Sequence, residues 1–282
     1  MILEHEIPNG SKLYFGSSAK LKRDVEKIAS DILYDKGFEE IVTPIFSYHQ
    51  HKSIADERDL IKINDESNNS ISLRADSTID VVRIIQKRLG RNTEHKKWFY
   101  IQPVFRYPTE EQYQVGVEYI GQSDLSSVLN IAVEIFNKLN VKPLMQISNM
   151  QIPKIITSLY EELNLDDFKH VNIEKFLSQK VEWLDRLVYM QNIKQLDDIL
   201  GIVPQSIKTE LQKMKDLCNK IEYNNSVLAP LYYADMLYYD ELYFRVIDKN
   251  EVYASGGRYS NLDVDSVGFA IHTDALVDMI SK

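Results

Sequence analysis

WFYIQPVFR (98–106) and QVGVEYIG (114–121), joined by YPTEEQY, decide the fold. Both runs are rich in aromatic and β-branched residues, and a short polar connection between such runs reads as an antiparallel hairpin. Period two along the second run puts Gln114, Gly116, Glu118 and Ile120 on one face. Upstream, residues 19–36 read as an amphipathic helix with Leu21, Val25, Ile28, Ile32 and Leu33 at helical spacing. Ser17 or Ser18 can cap its start and Gly37 stops it. The extended FEEIVTPIF follows, with Pro44 suited to an edge or interface strand. Short strands near 60–63 and 71–74, separated by NDESNNS, read as a second hairpin, and 75–89 as a helix.

Downstream, 124–140 reads as a helix and 143–148 as a strand. Residues 150–226 change character: KIITSLYEEL, KFLSQKVEWLDRLVYM, IKQLDDIL and SIKTELQKMKDLCNKI are helical in period and rich in Lys, Glu and Leu. They read as a helical insertion with solvated charged faces. LYYADMLYY, LYFRVID and EVYASGGR then suggest an antiparallel meander with a turn at Asp248-Lys249-Asn250. SVGFAIHTDALVDMISK reads as a strand entering a helix. The expected class is α+β, a mainly antiparallel sheet flanked by helices. One core domain is expected from 1–149 and 227–282, interrupted by an insertion at 150–226.

Composition limits the function. The chain has 282 residues, 44% hydrophobic and 27% charged, with a net charge of −9. It lacks the run of about 18 apolar residues that a membrane helix needs. MILEHEIPNGSK has neither the basic start nor the apolar stretch of a secretory signal, so no membrane association is expected. The single cysteine, Cys218, excludes an internal disulfide and fits a reducing cytoplasm. Acidity argues against a polyanion such as tRNA as the main ligand. His49 and His51 stand without a partner pattern, so no metal site or cofactor is expected. Only ten glycines occur, and Gly37, Gly116, Gly121, Gly256, Gly257 and Gly268 cluster in the β-rich segments.

In order along the chain, five stretches resemble class II aminoacyl-tRNA synthetases of the histidyl branch. GFEEIVTPIF (37–46) is similar to the dimer-forming first motif. ISLRADSTIDVVR (71–83) resembles the element usually written LRPEGTAPVVR. FYIQPVFRY with QVGVEYIG resembles the second motif, with Arg106 at its arginine. MLYYDELYFRV (236–246) resembles the histidine-specific LDYYTGTVFEV. ASGGRYSNL (254–262) with VGFAIHTDAL (267–276) resembles the GGRY segment and third motif. The resemblance implies a histidine pocket made by Asp76, Thr78, Gln114, Glu118, Tyr238 and Tyr239. Asp76 would hold the α-ammonium, Gln114 and Glu118 the ammonium and imidazole, and the tyrosines the side chain. From the strand alone, Gln114 and Glu118 flank Gly116 with room for a small polar ligand, or they form a solvated face. Arg74, Arg106 and Arg258 remain as motif arginines, either at a site or holding strands together.

Four departures imply that the adenylation equipment is missing. The 107–113 connection is shorter than the histidyl pattern. The third motif ends Asp274-Ala275 instead of an acidic residue and arginine. Ala234 stands where the histidine-specific element is preceded by arginine. The chain also stops soon after the third motif, with no room for an anticodon-binding domain. Adenylate formation relies on cationic stabilisation of a phosphoryl transition state, so these losses imply no catalytic residues. This set of traits resembles the regulatory subunits of ATP phosphoribosyltransferase. The resemblance implies a self-dimer through the segment around Pro44, assembled with short-form catalytic subunits into a hetero-octamer. It also implies activation of that partner and histidine feedback in the first step of histidine biosynthesis, with histidine as a ligand. The competing readings are a truncated ligase that activates histidine or a similar amino acid, and a scaffolding paralogue for another partner.

Overall fold

The computed structural model describes residues 6–50, 54, 56–90, 93–236, 238–261 and 263–281. His51, Leu237, Leu262 and the first five residues, all in stretches quoted above, lie outside the described residues.

Helix α1 (Gly16–Asp35) buries Val25, Ala29 and Leu33 along one stripe. It starts earlier than the serines suggested: Phe15 flanks the end, and the Ser18 hydroxyl accepts from Phe15 N (3.2 Å) and donates to Phe15 O (2.9 Å). Its end follows the glycine rule. Gly37 sits at φ +76°, donating to Tyr34 O, while Phe38 N reaches Leu33 O. Strand β1 (Glu39–Glu40) follows, then β2 (Phe46–Ser47), β3 (Lys62–Asn64) and β4 (Ser70–Leu73). The last three form a small sheet in the order β2-β4-β3. Its β3–β4 turn is held by the Asp65 carboxylate, which accepts from Ser67 N and Asn69 N.

Helix α2 (Thr78–Ile84) runs into a π-helical turn at Ile85–Leu89. Strands β5 (Lys97–Arg106) and β6 (Glu110–Ile120) are longer than expected and reduce their connection to Tyr107, Pro108 and Thr109. Helix α3 (Ser126–Lys138) and strand β7 (Leu144–Asn149) follow. Residues 151–220 hold α4 (Gln151–Leu159), α5 (Leu165–Lys169), α6 (Ile173–Ser178), α7 (Glu182–Val188), α8 (Ile193–Ile199) and α9 (Gln205–Lys220). The chain closes with β8 (Ser226–Leu228), β9 (Tyr239–Asp248), β10 (Glu251–Asn261), β11 (Val264–His272) and α10 (Thr273–Ile280). One expectation fails here: 231–236 is not a strand. It turns at Ala229–Tyr232 and crosses irregularly, which brings Met236 and Tyr238 over the sheet.

The main sheet has eight strands in the order β1-β5-β6-β11-β10-β9-β7-β8. Only the edge pairs β1–β5 and β7–β8 are parallel. Alternation along β6 divides the sheet into two faces. Val115 and Val117 point into a large apolar cluster shared with α1, α3, α10 and the helices of 151–220. The opposite face carries a smaller cluster of Trp98, Tyr100, Tyr239, Tyr243 and Tyr259 against Val81 and Val82 of α2. No helix among the described residues is long and apolar enough to cross a membrane.

Candidate functional site

The tyrosine-bearing face is built by register. Tyr100 lies opposite Gly116, Gly116 opposite Ala270, and Ala270 opposite Ser255. Cross-strand partners share a face, and the two members of this row that floor the hollow are Ala270 and Ser255. One layer outward, Gln114 lies between Gln102 and His272. Above this floor is a cavity of about 370 Å³ whose walls include Asp76, Thr78, Arg106, Gln114, Tyr238, Tyr239 and His272.

The space over Gly116 is not ligand room, as the strand pattern had suggested. A Cβ there would overlap the Tyr100 ring, so the glycine admits a tyrosine from β5. Gly268 does the same for the Glu118 carboxylate. Glu118 therefore lies behind the cavity wall, fully buried, and is absent from its lining. It accepts a 2.6 Å bond from the Tyr259 hydroxyl and a 3.4 Å bond from Tyr100. Burial, with a smaller push from Asp76, raises its pKa to about 8 against the hydroxyl bonds that lower it. The carboxyl is mostly protonated at neutral pH.

Asp76 sits between β4 and α2, where Gln50 fixes the backbone. The Gln50 side-chain oxygen accepts from Ala75 N (2.8 Å) and Asp76 N (2.7 Å), and its amide donates to Asp76 O (3.0 Å). The Asp76 carboxylate accepts from Tyr238 OH (3.2 Å) and Ile79 N (3.3 Å). Burial lifts its pKa to about 6, opposed by those two donors and by the charge of Arg106. Thr78, at the start of α2, lies 3.4 Å from the Tyr100 hydroxyl and so links the cavity to the buried Glu118 layer.

His272 was not singled out from sequence, although period two along β11 places it on the face of Gly268 and Ala270. Its Nδ1 lies 2.8 Å from Val252 O and 3.3 Å from the Gln112 amide; the shorter contact assigns the proton to Nδ1. Burial, reinforced by Arg106, lowers its pKa to about 4. The imidazole is neutral, with Nε2 as an acceptor.

The three motif arginines separate. Arg74 is buried and donates to the carbonyls of Pro103 (2.9 Å), Thr43 (3.0 Å) and Pro44 (3.1 Å), joining β5 to the 43–44 segment. Arg258 pairs with Asp240 (2.6 Å) and Asp265 (2.8 Å), tying together β9, β10 and β11. Only Arg106 of the three lines the cavity. Ala234 is buried with its N–H against Met150 Sδ, and Ala275 packs against the main core. Thus Asp76, Thr78, Gln114, Tyr238, Tyr239 and Arg106 come together, while Glu118, Arg74 and Arg258 stand outside.

The fold and this pocket define a class II synthetase-like core of the histidyl kind, and residues 16–276 match the histidyl-tRNA synthetase family. A Bacillus halodurans structure described as an ATP phosphoribosyltransferase regulatory subunit/histidyl-tRNA synthetase superposes with a TM-score of 0.86 at 19% identity. It covers 99% of this chain and 84% of that one. Two relatives are named ATP phosphoribosyltransferase regulatory subunit. The one from Wolinella succinogenes is 47% identical, over 100% of this chain and 98% of its own length. The one from Helicobacter hepaticus is 40% identical over 99% of each. The chain belongs to the ATP phosphoribosyltransferase regulatory subunit family, and so to histidine biosynthesis.

Proposed function

We propose that this chain activates a short-form ATP phosphoribosyltransferase catalytic subunit and senses histidine, without adenylating it. The observation that carries this reading is the unequal survival of the site. Asp76, Thr78, Gln114, Tyr238 and Tyr239 line one cavity, whereas alanine stands at 234 and 275. A volume of about 370 Å³ falls within the usual range of small-molecule sites. Asp76 and the neutral His272 offer acceptors to an ammonium or an imidazole N–H. The carboxylates of Glu110 and Glu251 on the same walls oppose a polyphosphate, so nucleotide binding is disfavoured.

Feedback requires histidine to bind the active and inactive assemblies unequally. The assembly would contain a dimer of this chain formed around Pro44, where Val42, Ile45, Phe46 and Tyr48 are exposed, and catalytic subunits to make a hetero-octamer. The helical segment 150–226 is a second unit available to the partner. A cytoplasmic location suits the lone thiol, whose pKa burial pushes up to about 11, making it unreactive. Co-sedimentation of this chain with a short-form catalytic subunit tests the reading; two independent boundaries at micromolar concentration would remove its basis. The ligase reading draws on the retained Arg106 in the cavity. ATP–pyrophosphate exchange dependent on histidine would favour it over a silent site.

A further inference from the structure

We propose that the cleft between the 44–49 segment and the end of α2 binds a phosphate-bearing anion, as a second ligand site separate from the cavity over the main sheet. The cleft measures about 690 Å³, with Arg83, Lys87 and Arg88 lining it from the helix and Phe46, Tyr48 and His49 from the segment. It shares no lining residue with the first cavity.

The helix end supplies the cations. Arg83 and Lys87 stand four residues apart, which puts them on one side of α2. The π-helical turn at Ile85–Leu89 is closed by Gly90 N donating to Ile85 O (2.7 Å). Its bonds span five residues, so Arg88 also comes round to the cleft; such turns recur at functional sites. Like charges this close repel, although the negative end of the helix dipole helps to hold them. Neither Lys87 nor Arg88 forms a hydrogen bond or ion pair with any described residue. Arg83 is held in place: its Nη2 donates to Asp80 Oδ1 (3.0 Å), and Gln50 donates to the other oxygen of that carboxylate. Its side chain is 21% exposed and its buried Nε has no acceptor among the described residues. The guanidinium therefore carries more donors than the protein satisfies.

The balance of charge selects the ligand. Asp80 is the only carboxylate among the described residues of the lining, and it is already bonded by Arg83 and Gln50. Lys87 and Arg88 thus stand in excess, in a chain whose net charge is −9. A dianion gains more than a monocarboxylate from such a group, and arginine with lysine is a common setting for phosphate. The cleft is larger than a phosphate ion needs. Pro44, Phe46, Tyr48 and Ile84 give it an apolar wall, with Phe46 and Tyr48 each 55% exposed. A phosphate ester with an aromatic or apolar group uses both parts. The first cavity, with Asp76, Glu110 and Glu251 on its walls, opposes the same ligand. Phe46 and Tyr48 belong to the exposed surface around Pro44, so the ligand lies at the rim of the self-association face.

The test is calorimetric titration of the full chain, as it assembles in solution, with phenyl phosphate, inorganic phosphate and benzoate. It compares the wild type with Lys87→Gln/Arg88→Gln and with a control, Lys194→Gln/Lys208→Gln, which removes two exposed lysines from α8 and α9. Wild type is expected to bind phenyl phosphate roughly 10-fold more tightly than benzoate, and Lys87→Gln/Arg88→Gln to lose about 10-fold in affinity for it. The control keeps the wild-type affinity. Thermal melts check that each variant is folded. Tighter binding of phenyl phosphate than of inorganic phosphate identifies a phosphate ester as the ligand class, and equal affinities identify free phosphate; each supports the site. Failure of both phosphates to bind folded wild type at millimolar concentration overturns the proposal. Affinity unchanged in Lys87→Gln/Arg88→Gln overturns it as well, and so does an equal loss in the control, which would reduce the effect to net charge.

Discussion

Tyr259 donates a 2.6 Å hydrogen bond to Glu118, and the pair is sealed beneath the cavity by Tyr100 and the backbone of Gly268. The carboxyl keeps its proton to about pH 8, whereas its ordinary value is 4.5. Below about pH 4.5 both the folded and unfolded chains hold this proton. As pH rises from there toward 8, the unfolded chain ionises and the folded one does not, so stability falls through the window and the loss is complete above it. Glu118→Gln keeps an acceptor for Tyr259 and removes the titration. Its stability advantage over wild type should grow from pH 5 to pH 8, reaching on the order of a few kcal/mol. Urea unfolding at four pH values measures it; parallel curves for the two proteins would contradict the buried neutral acid.

Gly116 exists for Tyr100. A methyl group at 116 cannot be accommodated unless the ring leaves its place against Thr78 and Glu118. Gly116→Ala should cost about 1–3 kcal/mol by overpacking. Reducing the ring in Gly116→Ala/Tyr100→Leu should recover part of that loss. Denaturant midpoints of the two variants decide the point: an unaffected Gly116→Ala would mean the ring is not confined there.

Arg74 and Arg106 should fail in different ways. Removing the Arg74 guanidinium leaves the carbonyls of Thr43, Pro44 and Pro103 without their donor in a buried place. Arg74→Met should therefore cost at least about 2 kcal/mol. Arg106→Met should shift the denaturation midpoint little and reduce ligand binding. Equal destabilisation by the two substitutions would count against their assignments.

The exposed residues around Pro44 form a self-association surface in this account. Val42 is 78% exposed and Phe46 55%, unusual for large apolar side chains this close together in sequence. Ile45→Asp/Phe46→Asp should convert a sedimenting dimer into a monomer with unchanged circular dichroism. A wild type that is monomeric at tens of micromolar would contradict the assignment.

Much of the fold could be read from sequence because alternation and glycine placement act locally. The β5–β6 hairpin, the Gly37 stop and the Asp248–Asn250 turn follow from such signals, and five ordered motifs supply the topology. Depth is another matter. Period two puts Gln114 and Glu118 on one face, yet it cannot tell that Tyr100 of the neighbouring strand stands between Glu118 and the cavity. The use of each arginine is equally hidden, because Arg74, Arg106 and Arg258 differ only in what long-range folding places beside them. His272 was within reach, as the same alternation along β11 projects it beside Gln114. The segment 231–236 misled because its tyrosines have strand propensity but serve as a cover over the sheet.

The most direct test of the central claim is the phosphoribosyltransferase rate of a short-form catalytic subunit titrated with this chain. The account predicts a low rate for the catalytic subunit alone. The rate should rise to a plateau at a fixed ratio of the two chains, and histidine should depress the plateau. It also predicts no histidine-dependent ATP–pyrophosphate exchange by this chain. A catalytic rate unchanged across the titration, with the chains sedimenting separately, would contradict it.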